Sequence, residues 1–463
     1  MLFLALFAAS YVGSLACKPC HTDVYERYVA SPMARTSGSV TTTPPGTFKE
    51  LRVDNKGMAR WHDSARKLDY FIGSGAHGRS YVFTQNGFLF QAPFTWYTQQ
   101  AKWDASPGYE HDPNLRWSRP IEPTCLWCHA SQPKPIYGTI NRYADPPFEN
   151  GVACERCHGP GSDHIAGRGR LVNPAKLDAP LRDAVCAQCH LTGEARIEKA
   201  GKRLAAYRPG DLLSEYVAFF TAEGGAMKAT SHYEKLQASA CKQASGDKLW
   251  CGTCHSPHRT VSANAACQSC HTPSHRNRGP NCASCHMPKK RVVDGGHGVL
   301  TDHSIPRRAG PDTGAPGWTL RAWPGYESGS RELGLAYAEV SLRTRNAGQH
   351  KTAVNLLNMA APDSEVLVRL AYFAEQKGDM SHAAELYRKS LRMQPYMVTA
   401  LVNLGAIQAR QGAYDEAISL WRRALLANPA QPEAARNLSM LLRALGRSSE
   451  ADQVDAALRK FGE

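Results

Sequence analysis

Residues 250–258 read WCGTCHSPH, and the five residues from Cys251 to His255 carry the pattern that decides the fold of the first part of the chain. The pattern is Cys-x-x-Cys-His, and it occurs seven times. This is the attachment signature of c-type haem, because the two thiols add to the vinyl groups of one porphyrin and the imidazole binds its iron. The instances are Cys17/Cys20/His21, Cys125/Cys128/His129, Cys154/Cys157/His158, Cys186/Cys189/His190, Cys251/Cys254/His255, Cys267/Cys270/His271 and Cys282/Cys285/His286.

Zinc sites and disulfides are the alternatives for so many paired cysteines. Neither requires a histidine directly after every second cysteine. The sequence therefore predicts seven covalently bound c-type haems, with the motif histidines as proximal iron ligands. Fourteen of the fifteen cysteines are used in this way, and Cys241 remains. We interpret Cys241 as a small buried thiol near a haem, with a reactive or ligating thiolate as the alternative.

The chain has eighteen histidines, many more than seven proximal ligands require. His350 and His382 fall in the C-terminal region and are interpreted as surface residues, as are His62 and His111. Met33 is an alternative ligand for the distal face of one iron. The histidines predicted to ligate the distal faces are His77, His164, His232, His258, His275, His297 and His303.

Three of these histidines follow a motif closely, namely His164, His258 and His275. Proximal and distal ligands lie on opposite faces of a haem, so a histidine this close is poorly placed for the haem of its own motif. We expect it to reach a neighbouring haem instead. An iron with two protein ligands exchanges electrons and binds no substrate, and bis-His ligation favours lower potentials than His/Met ligation. An open sixth position would allow catalysis.

The long gap between the first two motifs contains a hairpin signal. Asn86-Gly87 separates two alternating apolar segments, residues 79–85 and 88–92, as in a type I′ turn. The same stretch is rich in aromatic residues, and we expect a small β-sheet that packs on haem faces. The rest of the haem region is predicted to be loops and short helices, with the haems supplying much of the apolar core.

The C-terminal region contains a repeat. Pro395 and Pro429 are 34 residues apart, and the same interval separates Gly378, Gly412 and Gly446. A period of this length is the signature of tetratricopeptide (TPR) repeats, which are paired helices that stack into a solenoid. The predicted fold class is mainly α: a loop-rich multihaem cytochrome domain with a small β-hairpin or sheet, followed by an α-solenoid.

The predicted organisation has four parts. Residues 1–10, MLFLALFAAS, read as the remnant of a secretion signal. Residues 11–303 form the heptahaem domain, residues 304–330 a Pro- and Gly-rich linker, and residues 331–463 the TPR domain. The signal predicts a periplasmic or extracellular protein. No other apolar run is long enough to predict a transmembrane span.

The formal charge of +14 invites a nucleic-acid or membrane interpretation. Seven haems would bring about two propionates each, partly offset by the iron, so the loaded protein is expected to be near neutral. Lys and Arg are expected to pair with these propionates. We therefore predict no nucleic-acid partner, and expect redox proteins and a protein or self-association through the TPR array as the partners.

Four segments around the motifs, residues 11–28, 154–164, 249–258 and 282–289, resemble the multihaem cytochromes typified by the tetrahaem electron carrier of ammonia-oxidising bacteria. The resemblance implies haems packed in close pairs as an electron wire, with His164 and His258 as distal ligands. Two departures are visible. Related sequences often place a histidine where this chain has Met33, and seven motifs exceed four.

The sequence is compatible with two functions. The first is electron transfer along seven mostly bis-His haems, with the TPR array docking a partner or another copy. The alternative is an oxidoreductase with one five-coordinate haem that acts on a small nitrogen or sulfur compound. Nitrite reductases resembling this group use a lysine in place of one motif histidine, whereas all seven motifs here end in histidine.

Overall fold

The chain folds into a cytochrome region of loops, short helices and small antiparallel sheets, followed by a helical repeat array. The structure is a computed structural model that describes residues 9–61, 64–110, 116–224, 227–259, 261–272, 281–308 and 317–461. Most of the predicted leader and the histidines His62, His111 and His275 lie outside the described residues. The predicted fold class is confirmed.

The helices of the cytochrome region are short, and several of them carry a haem motif. They are α1 (Thr22–Val29), α2 (Pro123–His129), α3 (Glu155–His158), α4 (Ser162–Ile165), α5 (Ala179–His190), α6 (His232–Gln237), α7 (Ala240–Ser245), α8 (Cys251–Cys254), α9 (Ala263–Gln268) and α10 (Cys282–His286). Single 3-10 turns occur at Ser14–Cys17, Pro174–Lys176, Leu204–Ala206, Leu213–Glu215 and Gly246–Lys248.

The strands are also short. They are β1 (Ser37–Ser39), β2 (Gly46–Phe48), β3 (Leu51–Val53), β4 (Met58–Trp61), β5 (Ser64–Lys67), β6 (Tyr70–Ile72), β7 (Gly78–Gln85), β8 (Phe88–Tyr97), β9 (Lys102–Ala105), β10 (Ala195–Glu198), β11 (Val217–Thr221), β12 (Lys289–Arg291), β13 (Val299–Thr301) and β14 (Arg321–Ala322). They form sheets in the orders β1-β6-β7-β8-β9, β2-β3-β4-β5, β10-β11-β14 and β12-β13.

The predicted hairpin is the centre of the five-stranded sheet. Strands β7 and β8 pair in antiparallel register, and Asn86 and Gly87 between them both have positive φ, 53° and 80°. A type I′ turn requires positive φ at both positions, which explains the Asn-Gly pair. The aromatic residues pack on one another, with Phe94 against Trp103 at 5.3 Å between ring centroids. The sheet therefore has an aromatic core of its own.

The repeat array consists of antiparallel helix pairs: α11 (Ser330–Thr344) with α12 (Ala347–Met359), α13 (Ser364–Gln376) with α14 (Met380–Met393), α15 (Val398–Arg410) with α16 (Tyr414–Ala427), and α17 (Pro432–Ala444) with α18 (Ser448–Arg459). Gly378, Gly412 and Gly446 follow the first helix of a pair with φ of 84°, 81° and 74°. A left-handed residue at this place ends a helix at little cost when it is glycine. The 34-residue period is thus a period of helix endings.

Both ends of the array contact the cytochrome region. Helices α11 to α13 share a buried core with β10 and β11. At the other end, Ala430 and Phe461 lie in the core of the β-sheets, and the Ile140 amide donates to the Ala427 carbonyl at 3.1 Å. Part of the predicted linker takes part in this packing, because β14 pairs with β11.

Candidate haem-binding sites

Three of the motifs present both thiols to one side because of their local backbone. In α2, α5 and α10 the motif occupies the last turn of the helix, and the helix ends at the motif histidine. Side chains three positions apart lie on the same face of a helical turn. Two cysteines at this spacing therefore point to one partner. The cysteines of all seven motifs are among the described residues and are free thiols.

Some of the predicted haem-binding residues lie at the surface rather than in the interior. The second cysteines of the first, sixth and seventh motifs, Cys20, Cys270 and Cys285, are exposed, as is Cys125 of the second motif. His271, the predicted proximal ligand of the sixth motif, is exposed as well. Their roles in haem attachment and iron ligation stay predictions.

The local backbone explains much of this exposure. In the first motif the 3-10 turn ends at Cys17, and in the sixth motif α9 ends at Gln268, so each helix stops before the second thiol. Cys270 then lies in a turn, where its sulfur is 3.8 Å from the Ser269 hydroxyl. Cys285 is helical, but its sulfur is likewise 3.8 Å from the hydroxyl of the preceding serine on an exposed face of α10.

Three motif histidines lie against a predicted distal histidine. Two imidazoles that bind one metal from opposite sides, each with a nitrogen about 2 Å from it, have ring centroids about 6 Å apart. The observed separations are 6.3 Å for His21 and His164, 5.8 Å for His158 and His258, and 6.0 Å for His255 and His303. The ring planes in these pairs differ by 16°, 13° and 28°.

The three pairs follow one rule of connection. His164 comes after the third motif and faces the first, and His258 comes after the fifth and faces the third. His303 comes after the seventh motif and faces the fifth. Each loop thus reaches back to the motif two places earlier, which connects the first, third, fifth and seventh motifs in series.

A fourth contact forms a histidine cluster. His232 begins α6, and its ring centroid lies 5.3 Å from His190 of the fourth motif and 4.8 Å from His303, nearly perpendicular to both. Burial and the neighbouring His190 and His303 lower the pKa of His232 to about 3. Burial is also the main cause that lowers the pKa of His129, to about 4. These rings are neutral at neutral pH, the state that a metal requires of its histidine ligands.

The thiols of different motifs also meet. Cys17 of the first motif lies beside Cys154 of the third. Cys128 likewise lies beside Cys189, and Cys186 lies beside Cys251, so the second and fifth motifs adjoin the fourth. The fourth motif is therefore in contact with motifs on two sides.

Further motifs are connected by cysteines that lie close enough to influence one another electrostatically. Cys157 of the third motif lies within reach of Cys186 in the fourth. Cys267 of the sixth motif lies within reach of Cys254 in the fifth and Cys282 in the seventh. All seven motifs thus belong to one connected set.

Two predicted distal histidines have other neighbours. His297 Nε2 is 2.9 Å from Asp104 Oδ2, and its ring meets Tyr97 edge-on at 4.8 Å. His77 Nδ1 is 3.0 Å from Gln99 Nε2. Burial, followed by the charge of Lys289, lowers the pKa of His77. The pairs found for other histidines are not seen for these two among the described residues.

Cys241 and Met33, which belong to no haem motif, also have defined surroundings. Cys241 is half-buried and lies within electrostatic reach of Cys254 and Cys267. Its surroundings are those expected for a thiol near the fifth and sixth motifs. Met33 is half-buried, and its carbonyl accepts a hydrogen bond from the Val152 amide at 3.1 Å.

Buried polar atoms around the motifs test whether the residues fit a haem. Groups of this kind are nearly always paired in folded proteins. Those without a hydrogen-bond partner within the protein include Trp127 Nε1, His129 Nδ1, His190 Nδ1, the Tyr207 hydroxyl and His232 Nδ1. Carboxylate propionates would accept hydrogen bonds from such donors. Together with the free thiols and the spaced imidazoles, these atoms fit c-type haems.

The motif pattern leaves its two intervening residues unspecified, and it carries no signal for what they do in the third motif. Arg156 lies over the Trp127 ring, 3.3 Å from its centroid, and donates to the Trp127 carbonyl at 2.7 Å. It thereby attaches the third motif to the second. Glu155 beside it is 1% exposed and accepts several backbone hydrogen bonds.

Parts of the chain match known protein families. Residues 95–159 match the family described as cytochrome c554 and c-prime, and residues 364–396 and 400–433 match tetratricopeptide repeats. The multiheme cytochrome MtrA of Shewanella baltica (strain OS185) is 26% identical over 185 residues, which cover 34% of this chain and 54% of that protein. The chain thus spans about half the length of this curated relative.

Two solved structures with similarity to this chain are an outer cell wall cytochrome and MamA. The outer cell wall cytochrome OcwA is 15% identical, with a TM-score of 0.46, over 90% of this chain and 99% of its own. MamA is 14% identical, with a TM-score of 0.25, over 27% of this chain and 77% of its own.

The chain is a c-type cytochrome of the multihaem class, a class whose general role is electron transfer. More particularly, it is a multihaem cytochrome fused to C-terminal tetratricopeptide repeats, which are typical of protein interaction. Among the helices within the described residues, none has the length and apolar character needed to cross a bilayer.

Proposed function

We propose that the chain binds seven c-type haems and transfers electrons along them between partner proteins. The observation that carries this proposal is the spacing of the three histidine pairs, which supports iron closed on both faces. The fourteen motif cysteines would hold the porphyrins as thioethers, and the seven motif histidines would be the proximal ligands. Each bound haem supplies a one-electron iron couple.

The axial partners follow from the ring contacts. We propose His164, His258 and His303 as the second ligands for the irons bound at His21, His158 and His255. His232 is the candidate for the iron at His190, because it is the distal candidate that meets this ring. His77, His275 and His297 remain predicted ligands for the other motifs.

The contacts between motifs support an order for the sites. The first motif contacts the third, the third neighbours the fourth, and the fourth contacts the fifth. The sixth motif neighbours the fifth and the seventh, and the second motif neighbours the fourth. Such an order gives a path from the first motif to the seventh, in which the fourth motif adjoins the second, the third and the fifth.

The domain organisation and location complete the proposal. Residues 11–303 would hold the haems, and residues 331–463 would dock a redox partner or another copy, with the segment between them packed on the cytochrome region. The leader-like residues 1–10 support export to the periplasm or the cell exterior. Haem propionates would offset the positive charge, so no nucleic-acid partner is proposed.

Electron paramagnetic resonance of the oxidised protein, together with a haem count, tests the main proposal. We expect seven haems per chain and low-spin ferric signals only, because two imidazoles close each iron. A high-spin signal that integrates to one haem would contradict the closed-wire proposal. It would favour an oxidoreductase acting on a small nitrogen or sulfur compound.

Replacing His258 with alanine tests one axial pair directly. Because the His258 ring lies 5.8 Å from His158, its loss is expected to convert one haem of the seven to high spin. The absorption and paramagnetic resonance spectra of the oxidised protein measure this change. His382→Ala is the matched control, since His382 is exposed on the repeat array and its loss is expected to leave the spectra unchanged. An unchanged spectrum in the His258 variant would remove this residue as a ligand.

A further inference from the structure

We propose that Glu155, inside the third motif, is a positioning residue for both axial ligands of the first haem. The proposal rests on the pairing of His21 with His164 proposed above. The first haem's ligands come from segments far apart in sequence, and Glu155 lies in the third motif, nine residues before His164. Its carboxylate holds the backbone of both.

One side of the carboxylate holds the segment that leads to His21. Glu155 Oε2 accepts a hydrogen bond from the Gly13 amide at 2.8 Å, and Oε1 accepts one from the Val12 amide at 3.0 Å. The 3-10 turn Ser14–Cys17 follows directly and enters the first motif. The Ser14 hydroxyl in turn accepts from the Cys154 amide at 3.2 Å, so this segment is attached to the third motif twice.

The other contact holds the turn that leads to His164. The Gly161 amide donates to Glu155 Oε1 at 2.7 Å, and Gly161 is the residue directly before α4, which carries His164. A Cβ at Gly161 would come within 3.2 Å of Glu155 Oε1 and 2.9 Å of Val12 Cγ2. A side chain at this position would therefore displace Glu155 or Val12.

A carboxylate suits this role better than an amide. Glu155 faces backbone amides on both of its oxygens, and an ionised carboxylate is an acceptor only, with room for several donors. Glutamine keeps one acceptor oxygen and turns an NH₂ donor toward an amide donor. The substitution leaves shape almost unchanged but loses either the Gly13 hydrogen bond to Oε2 or the Gly161 hydrogen bond to Oε1.

The test compares Glu155→Gln, His164→Ala and the double variant by haem count and paramagnetic resonance of the oxidised protein. We expect Glu155→Gln to keep seven haems and to convert part of one haem to high spin. The double variant is expected to show the same single high-spin haem as His164→Ala alone, because both changes act on one iron. A second high-spin haem in the double variant, or a change of reduction potentials without a change of spin, would overturn the proposal.

Two further variants separate this outcome from others. Glu332→Gln is the control, since Glu332 is a buried carboxylate that accepts the Gly329 amide in the repeat array, and its loss is expected to leave the spin states unchanged. If Glu155→Gln fails to fold, Gly161→Ala disturbs the same contact without removing charge and is expected to give the same partial high-spin signal. A fully low-spin His164→Ala would instead refute the axial pairing itself.

Discussion

Replacing Phe461 with alanine is expected to lower the free energy of unfolding by about 3–5 kcal/mol. Phe461 comes after the last helix of the array and is 3% exposed. Its ring lies 4.9 Å from Phe90 in β8, and its carbonyl accepts a hydrogen bond from the Trp117 amide at 2.9 Å. The substitution removes most of an aromatic side chain from a closed core, so it leaves a cavity that its neighbours fill only in part.

Urea unfolding and hydrogen exchange of α18 measure this effect. We expect a lower urea midpoint and faster exchange of α18 amides, with the haem count unchanged. Met440→Ala is the control, because Met440 is 70% exposed on α17 and its loss is expected to change stability by about 0.5 kcal/mol or less. Equal midpoints for the Phe461 variant and the unchanged protein would show that the C-terminal contact does not hold the array.

This contact bears on how the repeats work. An array tied only by a linker would move independently of the haem sites. Here the first repeats share a core with β10 and β11, and the last repeat joins the aromatic core of the sheets. A partner that docks on the array is therefore expected to take a fixed position relative to the cytochrome region.

The sequence predicted the parts of the fold that depend on local signals. The Asn86-Gly87 hairpin follows from the φ values that its turn requires, and the helix pairs follow from a period that places Gly378, Gly412 and Gly446 after successive helices. Ala383, Ala417 and Ala451, which hold the same period, are fully buried where the second helix of each pair begins. Such residues are constrained by their immediate neighbours in the chain.

Other parts depend on contacts between distant segments. Strands such as Gly46–Phe48 and Lys289–Arg291 have three residues, too few to show a period of two. Strand β14 has two residues inside a stretch rich in Pro and Gly, and its pairing with Phe220 and Thr221 is decided about a hundred residues away. A composition rich in Pro and Gly predicts a linker, because the sequence does not show with which distant strand the segment pairs.

The predictions about the haem-binding sites also divide into those made from local sequence and those that depend on distant contacts. The motifs specify the proximal residues, because covalent attachment requires both thiols and the histidine at fixed spacing. The spacing also predicted that His164 and His258 do not bind the haems of the motifs they follow. It did not identify the motifs that these histidines face. That choice depends on how the loops reach back by two motifs. The role of Glu155 had no signal in the sequence, because its hydrogen-bond partners are backbone amides outside the motif.

The exposure of individual motif residues could not be predicted from the pattern either. Every motif has the same residues at the same spacing, yet Cys20, Cys270, Cys285 and His271 are exposed, whereas His129 is enclosed. The difference depends on where the local helix ends and on which distant segments pack beside the motif. A five-residue pattern contains neither kind of information.

Replacing His232 with methionine is expected to raise the reduction potential of one haem by on the order of 0.1 V, because a His/Met pair favours the reduced iron more than two histidines do. His232 meets His190 of the fourth motif, where three other motifs converge. An electron held about 0.1 V lower in energy must climb about 2.3 kcal/mol to leave, and this slows its onward transfer about fiftyfold. A spectroscopic redox titration measures the potential, and the intramolecular phase after rapid partial reduction measures the transfer.

His164→Met is the matched control for this effect. It makes the same chemical change at the first motif, which lies at one end of the proposed order, and it is expected to shift one potential equally. Because no path between other sites passes through an end, transfer among the remaining haems should keep its rate. An unshifted set of potentials in the His232 variant would refute its ligation. Equal slowing by both variants would refute the central position of the fourth motif, because only a haem that lies between others can slow the transfer among them.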